Sequence, residues 1–201
     1  MKLYYSPGAC SLSPHIVLRE AGADFSLVRV DLKTKKTENG DDYLAINPKG
    51  YVPTLELDNG ELLTEGPAII QYVADLHPAA GLAPPPATLE RARLQEWLNL
   101  ISTEVHKSFS PLFRGVGEEW KNAALDNISR RLGFIARHLA TRPFLLGEQF
   151  SVADAYLFVV LGWTGFVKID MSPWPELQAF SERVGARPAV QAAMRAEGLL
   201  R

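Results

Sequence analysis

The spacing of apolar residues changes part-way along the chain. Short apolar runs at Lys2 to Tyr5 and at Ser26 to Val30 predict two β-strands. Between them, Ile16 to Ala21 has the character of a short helix that ends against Gly22. A strand, a helix and a second strand in this order favour a parallel pair joined by a right-handed crossover.

A hairpin and a further helix follow in the first half. Thr54 to Leu57 and Glu61 to Thr64 flank Asp58, Asn59 and Gly60, and Asn-Gly is the strongest short hairpin signal. Gly66 and Pro67 then begin a helix. With a variable segment around residues 33–46, this half is an α/β unit of order βαβ-α-ββα. We expect a mixed four-stranded sheet with helices packed on it.

The second half is predicted to be entirely helical. Apolar residues recur at spacings of three and four from Leu94 to Val105, in a helix for which Thr88 is a plausible cap, and from Leu125 to Leu139. Ser151 and Asp154 form a capping-box pattern before an apolar helix. The proline-rich stretch before Thr88 is the best candidate linker. The expected organisation is therefore residues 1–78, a linker of residues 79–88, and an all-helical domain of residues 89–201.

Composition narrows the possible partners. The 21 Lys and Arg residues against 23 Asp and Glu residues give a formal net charge of −2, so no pull on nucleic acid or anionic membrane is expected. The longest apolar run, Ala155 to Val167, is too short to span a bilayer, and the first residues do not have the pattern of a signal peptide. A single cysteine cannot form an intramolecular disulfide, which fits a reducing cytoplasm.

Cys10 is the most informative residue of the chain. It lies where the first strand runs through Ser6 to Ala9 into a helix, and a helix N-terminus favours an anion such as a thiolate. Because Pro14 has no N–H, the regular helix is expected to begin only near Ser13, with the amides of Ser11 and Leu12 directed at the Cys10 sulfur. The alternative is a buried structural cysteine.

Two dipeptides in the first half are candidates for ligand contacts. Val52-Pro53 can be a cis bond that exposes the Val52 backbone to an extended ligand, although most such bonds are trans. Glu65-Gly66, between a strand and a helix, can bind a ligand ammonium group and a ligand carboxylate. The simpler interpretation of Glu65 is a charge that complements the helix dipole.

A polar stripe and several hydroxyl groups complete the candidates. Asn99, Thr103 and His106 share one helix face, which is otherwise typical of a solvated surface. His106 has only Glu104 as a neighbouring metal ligand, so no metal site is expected. Hydroxyl groups near Cys10, above all that of Ser11, are alternative activators of a thiol, whereas Tyr5 is better explained as a strand side chain.

Taken together, these residues resemble the glutathione transferase superfamily, and specifically its bacterial beta class. The motifs that carry the resemblance are, in chain order, Tyr5 to Ser11, Asn39 to Tyr43, Asn47 to Pro53, Leu63 to Gly66, Glu96 to Asn99, Glu104 to Lys107 and Ser151 to Tyr156. The resemblance implies a thioredoxin-like N-terminal domain, an all-helical C-terminal domain with the second-substrate pocket, and a cytoplasmic homodimer.

The resemblance also implies roles for individual residues. The implied glutathione-binding residues are Cys10, Lys35, Val52, Pro53, Glu65, Gly66, Asn99, Thr103, Glu104, Val105 and His106. The implied catalytic residues are Cys10, Ser11 and His106. Within this set, Cys10 lies beside the glutathione sulfur, and Val52 pairs with the cysteinyl backbone.

The implied activity is conjugation of the glutathione thiol to small electrophilic or hydrophobic substrates, a detoxification reaction, together with thiol-disulfide exchange through Cys10. Glutathione is a co-substrate, and no metal is implied. Two alternatives remain open at this point: a monothiol, glutaredoxin-like disulfide reductase, and a non-enzymatic binding or scaffold protein with the same fold.

Overall fold

The computed structural model describes residues 1–200. They group into two units, one of residues 1–82 with residues 187–200, the other of residues 83–186. The sequence predicts a linker at residues 79–88 and places all later residues in the helical domain. The observed units differ from this division mainly in residues 187–200, which belong to the first unit. Helix α9 (Pro188–Ala196) packs instead on α1 (Leu12–Glu20), in the first unit.

The first unit is built on a mixed sheet. Its strands are β1 (Lys2–Tyr5), β2 (Ser26–Asp31), β3 (Lys36–Thr37), β4 (Thr54–Glu56) and β5 (Leu62–Thr64). The strand order is β3-β2-β1-β4-β5, with only β1 and β2 parallel. The predicted parallel crossover and the β4–β5 hairpin are both present.

The prediction of four strands was wrong by one. The pair Lys36–Thr37 adds a fifth, antiparallel strand at the edge of β2. Two residues cannot show the alternation of apolar and polar positions by which a strand is recognised in a sequence. The sequence therefore does not predict this strand.

Both faces of the sheet are covered. Tyr4, Val28 and Val30 of the sheet pack with Tyr43 and Val52 on one face, and Tyr43 belongs to the short helix α2 (Tyr43–Ile46). Side chains alternate along a strand, so the fully buried Leu3 and Leu55 point to the opposite face. Helices α1 and α3 (Gly66–Leu76) pack against each other in this unit.

The second unit is helical throughout. After a 3₁₀ turn in the first unit (Pro78–Ala80), the helices are α4 (Leu89–Leu100), a π-helical segment (Ile101–His106), α5 (Lys107–Phe113), α6 (Glu118–Leu139), α7 (Val152–Val167) and α8 (Pro175–Gly185). α4, the π-helical segment and α5 run on without interruption. The sequence predicted the helix but not its π-helical part.

Helix α7 begins where the capping pattern predicts. The Asp154 carboxylate accepts hydrogen bonds from the Ser151 N–H at 2.8 Å, from the Ser151 hydroxyl at 2.7 Å and from the Leu145 N–H at 2.8 Å. Burial raises the pKa of Asp154 to about 6. The carboxylate thus fixes both the start of α7 and the loop before it. None of the helices in residues 1–200 has the length and apolar character needed to cross a membrane.

Candidate active site around Cys10

The segment that carries Cys10 is a tight turn followed by an irregular one. The Ala9 N–H donates to the Ser6 carbonyl at 3.1 Å, Pro7 is the second residue of the turn, and Gly8 is the third with φ +70°. Proline followed by a residue with positive φ defines a type II turn. Cys10 comes directly after it and before the first residue of α1, Leu12.

The backbone around Cys10 only partly matches the expectation of amides aimed at its sulfur. The Leu12 N–H donates to the Ala9 carbonyl at 3.0 Å, so the predicted contact of this amide with the sulfur was wrong. Among residues 1–200, the Ser11 N–H has no hydrogen-bond partner. The Cys10 Sγ lies 3.3 Å from the Val52 carbonyl oxygen, to which the thiol donates. Cys10 is half-buried and not in a disulfide.

Val52 lies next to the segment that carries Cys10, since its carbonyl accepts a hydrogen bond from the Cys10 thiol. The Val52-Pro53 peptide bond is cis. The Val52 side chain is buried, yet within the described residues its backbone N–H has no hydrogen-bond partner. A Cβ added to Gly66 would lie 3.9 Å from the Pro53 ring. The two predicted dipeptides, Val52-Pro53 and Glu65-Gly66, are therefore neighbours.

Glu65 has an unusual backbone conformation. It precedes α3 with φ +69° and ψ +112°, a combination that costs a non-glycine residue about 1–3 kcal/mol. Its carboxylate accepts hydrogen bonds from the Lys49 Nζ at 2.6 Å and from the Tyr51 hydroxyl at 2.9 Å. The side chain stays 55% exposed, so a further cation from solution can reach it. A helix dipole partner alone does not require this conformation.

Lys35 reaches the loop that leads to Val52. Its Nζ donates to the Gly50 carbonyl at 2.6 Å, two residues before Val52. The hydrogen bonds that fix Lys35 itself come from the backbone: its N–H donates to Asp31 and its carbonyl accepts from Tyr43. The structure thus gathers Cys10, Lys35, Val52-Pro53 and Glu65-Gly66 into one region of the first unit.

The hydroxyl candidates near Cys10 have other partners. The Ser11 Oγ accepts from the Ser6 N–H at 3.1 Å and donates to the Ser6 carbonyl at 3.2 Å, and Ser11 is completely buried. Tyr5 is a buried strand residue, as expected, and burial followed by the negative charge of Glu197 raises the pKa of its phenol. The Ser11 hydroxyl therefore holds the turn rather than a thiol.

The candidates of the second unit lie on the uninterrupted helix that contains the π-helical segment. Asn99 and Thr103 are exposed, whereas Val105 is completely buried. The Thr103 hydroxyl donates to the Asn99 carbonyl at 2.9 Å. Glu104 forms an ion pair with Arg131 of α6. A π-helical segment changes which side chains share a face, and such segments are frequent at functional sites.

His106 ends the π-helical segment among aromatic rings. Its Nδ1 lies 2.6 Å from the Tyr156 hydroxyl, and its ring meets the Trp163 ring edge-on at 4.6 Å between centroids. Burial, and then the charge of Lys107, lowers the pKa of His106 to about 4. His106 is therefore neutral near pH 7 and is a poor base, but a neutral imidazole still donates one hydrogen bond.

Sequence reasoning missed two residues of this region. Lys49 and Tyr51 hold the Glu65 carboxylate, but the motif from Asn47 to Pro53 was used only for Val52 and Pro53. Their position in that motif was the available signal. Among the described residues, no group of three or more His, Cys, Asp or Glu side chains is arranged to hold a metal ion.

Comparison with known proteins places this geometry in a family. Residues 8–76 match the family profile of the glutathione S-transferase N-terminal domain, and residues 118–183 match that of the C-terminal domain. The chain is 50% identical over 200 residues to glutathione S-transferase GstA of Escherichia coli O157:H7, covering 99% of this chain and 100% of the relative. The chain belongs to the glutathione S-transferase family.

Solved structures of the family agree over the whole chain. A ternary complex of BphK, a bacterial glutathione S-transferase, has a TM-score of 0.98 and 65% identity and covers 99% of this chain and 100% of that one. A sphingomonad glutathione S-transferase in complex with glutathione has a TM-score of 0.96 and 52% identity, with both chains covered completely. The predicted resemblance to bacterial glutathione transferases is confirmed.

Family membership also tests the predictions for the two domains, the enzyme class and the co-substrate. The thioredoxin-like N-terminal domain and the helical C-terminal domain are confirmed. The chain is an enzyme, a glutathione transferase, and glutathione is its co-substrate. The roles of individual residues in this transferase remain predictions.

Proposed function

We propose that this transferase is a cytoplasmic, homodimeric beta-class enzyme that conjugates glutathione to small electrophilic, mainly apolar substrates in detoxification, and that Cys10 adds thiol-disulfide exchange. The observation that carries the proposal is the Val52 backbone. Its carbonyl accepts from the Cys10 thiol, and its N–H has no partner among residues 1–200. An extended peptide ligand can pair with exposed backbone groups of this kind by adding a strand.

The neighbouring groups fit the remaining charges of glutathione. Its γ-glutamyl ammonium group would pair with the exposed Glu65 carboxylate, and its γ-glutamyl carboxylate with the Gly66 N–H at the start of α3. Lys35, whose Nζ reaches Gly50, would bind the glycyl carboxylate. The strain at Glu65 supports this assignment, because strained backbone concentrates at sites of ligand binding.

Activation of the glutathione thiol would begin at Val52. The cysteinyl N–H of the bound ligand would compete with the Cys10 thiol for the Val52 carbonyl. The released Cys10 S–H and the Ser11 N–H would then donate to the glutathione thiolate and stabilise it at neutral pH. His106, which is neutral, would act as a donor and not as a base.

Cys10 also supports an exchange reaction. Its thiolate would attack the glutathionyl sulfur of a mixed disulfide, form a Cys10–glutathione disulfide and release the other thiol as a thiolate. A second glutathione thiolate would attack the glutathionyl sulfur bound to Cys10. That step yields oxidised glutathione and restores Cys10. No second cysteine is needed, and the chain contains none.

The helical unit would supply the second-substrate pocket. Asn99, Thr103 and Glu104 are the exposed or half-exposed positions of the predicted set. Val105 is buried, so its contribution would be to position the helix. Ser11, bonded to Ser6 through its side chain, would contribute through its backbone N–H.

The experiment that tests the proposal compares wild type with Cys10→Ala in two assays: conjugation of glutathione to an aryl halide, and reduction of a glutathione mixed disulfide. We expect the substitution to abolish disulfide reduction, because it removes the nucleophile. Conjugation should fall by about tenfold, the effect of losing one donor to a thiolate.

The alternatives predict other results. A glutaredoxin-like reductase would reduce the mixed disulfide but show no conjugation in the wild-type protein. A scaffold protein would fail to bind glutathione. Cys10→Ala with unchanged disulfide reduction would contradict the assigned role of Cys10.

A further inference from the structure

A buried series of hydrogen bonds links the C-cap of α9 to the turn before Cys10. One carboxylate oxygen of Glu197, Oε2, accepts from the Gly8 N–H at 3.0 Å, and the other, Oε1, lies 2.8 Å from the His15 Nδ1. The Arg19 Nε donates to the His15 Nε2 at 2.9 Å. The side chains of His15 and Glu197 are completely buried.

The hydrogen bonds to Arg19 and Glu197 determine which ring nitrogen of His15 carries a proton. An arginine Nε has a hydrogen and no lone pair to offer, so the His15 Nε2 must be the acceptor. The His15 Nδ1 therefore carries the proton and donates it to Glu197. The imidazole connects Arg19 to Glu197.

The backbone of Glu197 is held as firmly as its side chain. Glu197 caps α9, Gly198 has φ +73°, and the N–H groups of Gly198 and Leu199 donate to the carbonyls of Arg195 and Met194. This pattern is a Schellman motif, which ends a helix in one defined geometry. The carboxylate is thus presented to Gly8 by a rigid element.

The bond to Gly8 is made to the one peptide group that decides the type of the turn. The Pro7-Gly8 peptide is the central one of the Ser6 to Ala9 turn. Type I and type II turns differ mainly by a flip of this peptide. A carboxylate that accepts from the Gly8 N–H therefore favours the type II form that leads into Cys10.

We infer that Glu197 is a positioning residue of the thiol site: by holding the Gly8 peptide it sets the turn that places the Cys10 thiol against Val52. The consequence for glutathione rests on the proposed function above; the consequence for Cys10 itself does not. The C-terminal segment thereby becomes part of the site although it is far away in sequence.

The chain offers a matched control at the other end of α1. Arg187, just before α9, forms a two-pronged ion pair with Glu20 through Nε–Oε1 at 2.6 Å and Nη2–Oε2 at 2.8 Å. Glu20→Gln and Glu197→Gln remove the same charge from the same α1–α9 packing. Only Glu197 contacts the turn.

The experiment measures alkylation of Cys10 by iodoacetamide in the absence of glutathione, at several pH values, on folded protein. A glutamine at position 197 keeps one acceptor oxygen for two donors, so the turn is released and the Cys10 thiol leaves the Val52 carbonyl. We expect Glu197→Gln to accelerate alkylation by about tenfold, the effect of one charge-assisted hydrogen bond, with Glu20→Gln within about twofold of wild type. The KM for glutathione should rise in Glu197→Gln only.

Two results would overturn the inference: alkylation that is unchanged in Glu197→Gln, or alkylation that changes equally in both variants. If Glu197→Gln fails to fold, Arg19→Met tests the same series of hydrogen bonds, because Arg19 donates to His15 and His15 to Glu197. We expect about a threefold faster alkylation there, and a wild-type rate would also overturn the inference. If alkylation responds while the wild-type protein binds no glutathione, the positioning role stands and the proposed function fails.

Discussion

Glu65 has a backbone conformation that lowers local stability, and such conformations are frequent at ligand-binding sites. Glu65 adopts a backbone conformation that glycine would adopt at lower cost, yet it keeps a carboxylate there, held by Lys49 and Tyr51. Both contacts are exposed and contribute little to folding. The proposed function accounts for this cost, because it assigns the carboxylate to the ligand ammonium group.

His106 is a second residue whose burial has a measurable cost. Its pKa is lowered to about 4 in the folded chain, below the ordinary value of 6.5, by desolvation. The unfolded chain therefore binds a proton more readily as the pH falls, and stability is lost progressively below about pH 6.5. The neutral state, which the proposed function assigns to His106, is the stable one near pH 7.

This dependence gives a prediction for His106→Gln. Between about pH 7 and about pH 5, the free energy of unfolding of the wild-type protein should fall by about 1–2 kcal/mol more than that of the variant. Urea denaturation at the two pH values measures the difference, and the variant itself controls for all other titrating groups. Equal losses in the two proteins would show that His106 is not held neutral by the fold.

At the scale of elements, the start of α7 depends on one buried carboxylate. Asp154 accepts three hydrogen bonds, two from Ser151 and one from Leu145. Its raised pKa shows that burial of the charge is costly, so the three donors must compensate. The apolar helix behind it is the most continuously buried element of the second unit.

We predict that Asp154→Ala destabilises the protein by about 3 kcal/mol, because it leaves buried donors without an acceptor. Ser151→Ala, which removes one hydroxyl donor and leaves the carboxylate with two backbone N–H groups, should cost about 1 kcal/mol. Thermal or urea denaturation of both variants measures the order. A smaller loss in Asp154→Ala than in Ser151→Ala would contradict this account of the helix start.

The elements that the sequence predicted are those with local signals. The parallel crossover, the Asn-Gly hairpin and the cap of α7 each have a short, specific pattern. The two-residue strand β3 and the π-helical segment lack one, since the first is too short and the second differs from an α-helix by a single hydrogen-bond register. Both were therefore found only in the structure.

At the scale of the whole molecule, contacts between distant parts of the chain were the least predictable. Val52-Pro53 and Glu65-Gly66 are predicted as ligand contacts by their local patterns, and the family resemblance adds their roles. His15 and Glu197, 182 positions apart, have no joint signal in one sequence. For the same reason the sequence places the α9 segment in the helical domain, whereas α9 packs on α1 in the first unit. Cys10 was recognised, but the direction of its thiol, toward a carbonyl, was not.

The central claim is that glutathione binds through the Val52 backbone beside Cys10. The most direct measurement is the backbone amide NMR spectrum of ¹⁵N-labelled protein during titration with glutathione. The account predicts that the Val52 amide, which has no partner within residues 1–200, shifts on binding and becomes protected from hydrogen exchange. Saturating glutathione that leaves the Val52 amide unshifted and exchanging as before would contradict the account.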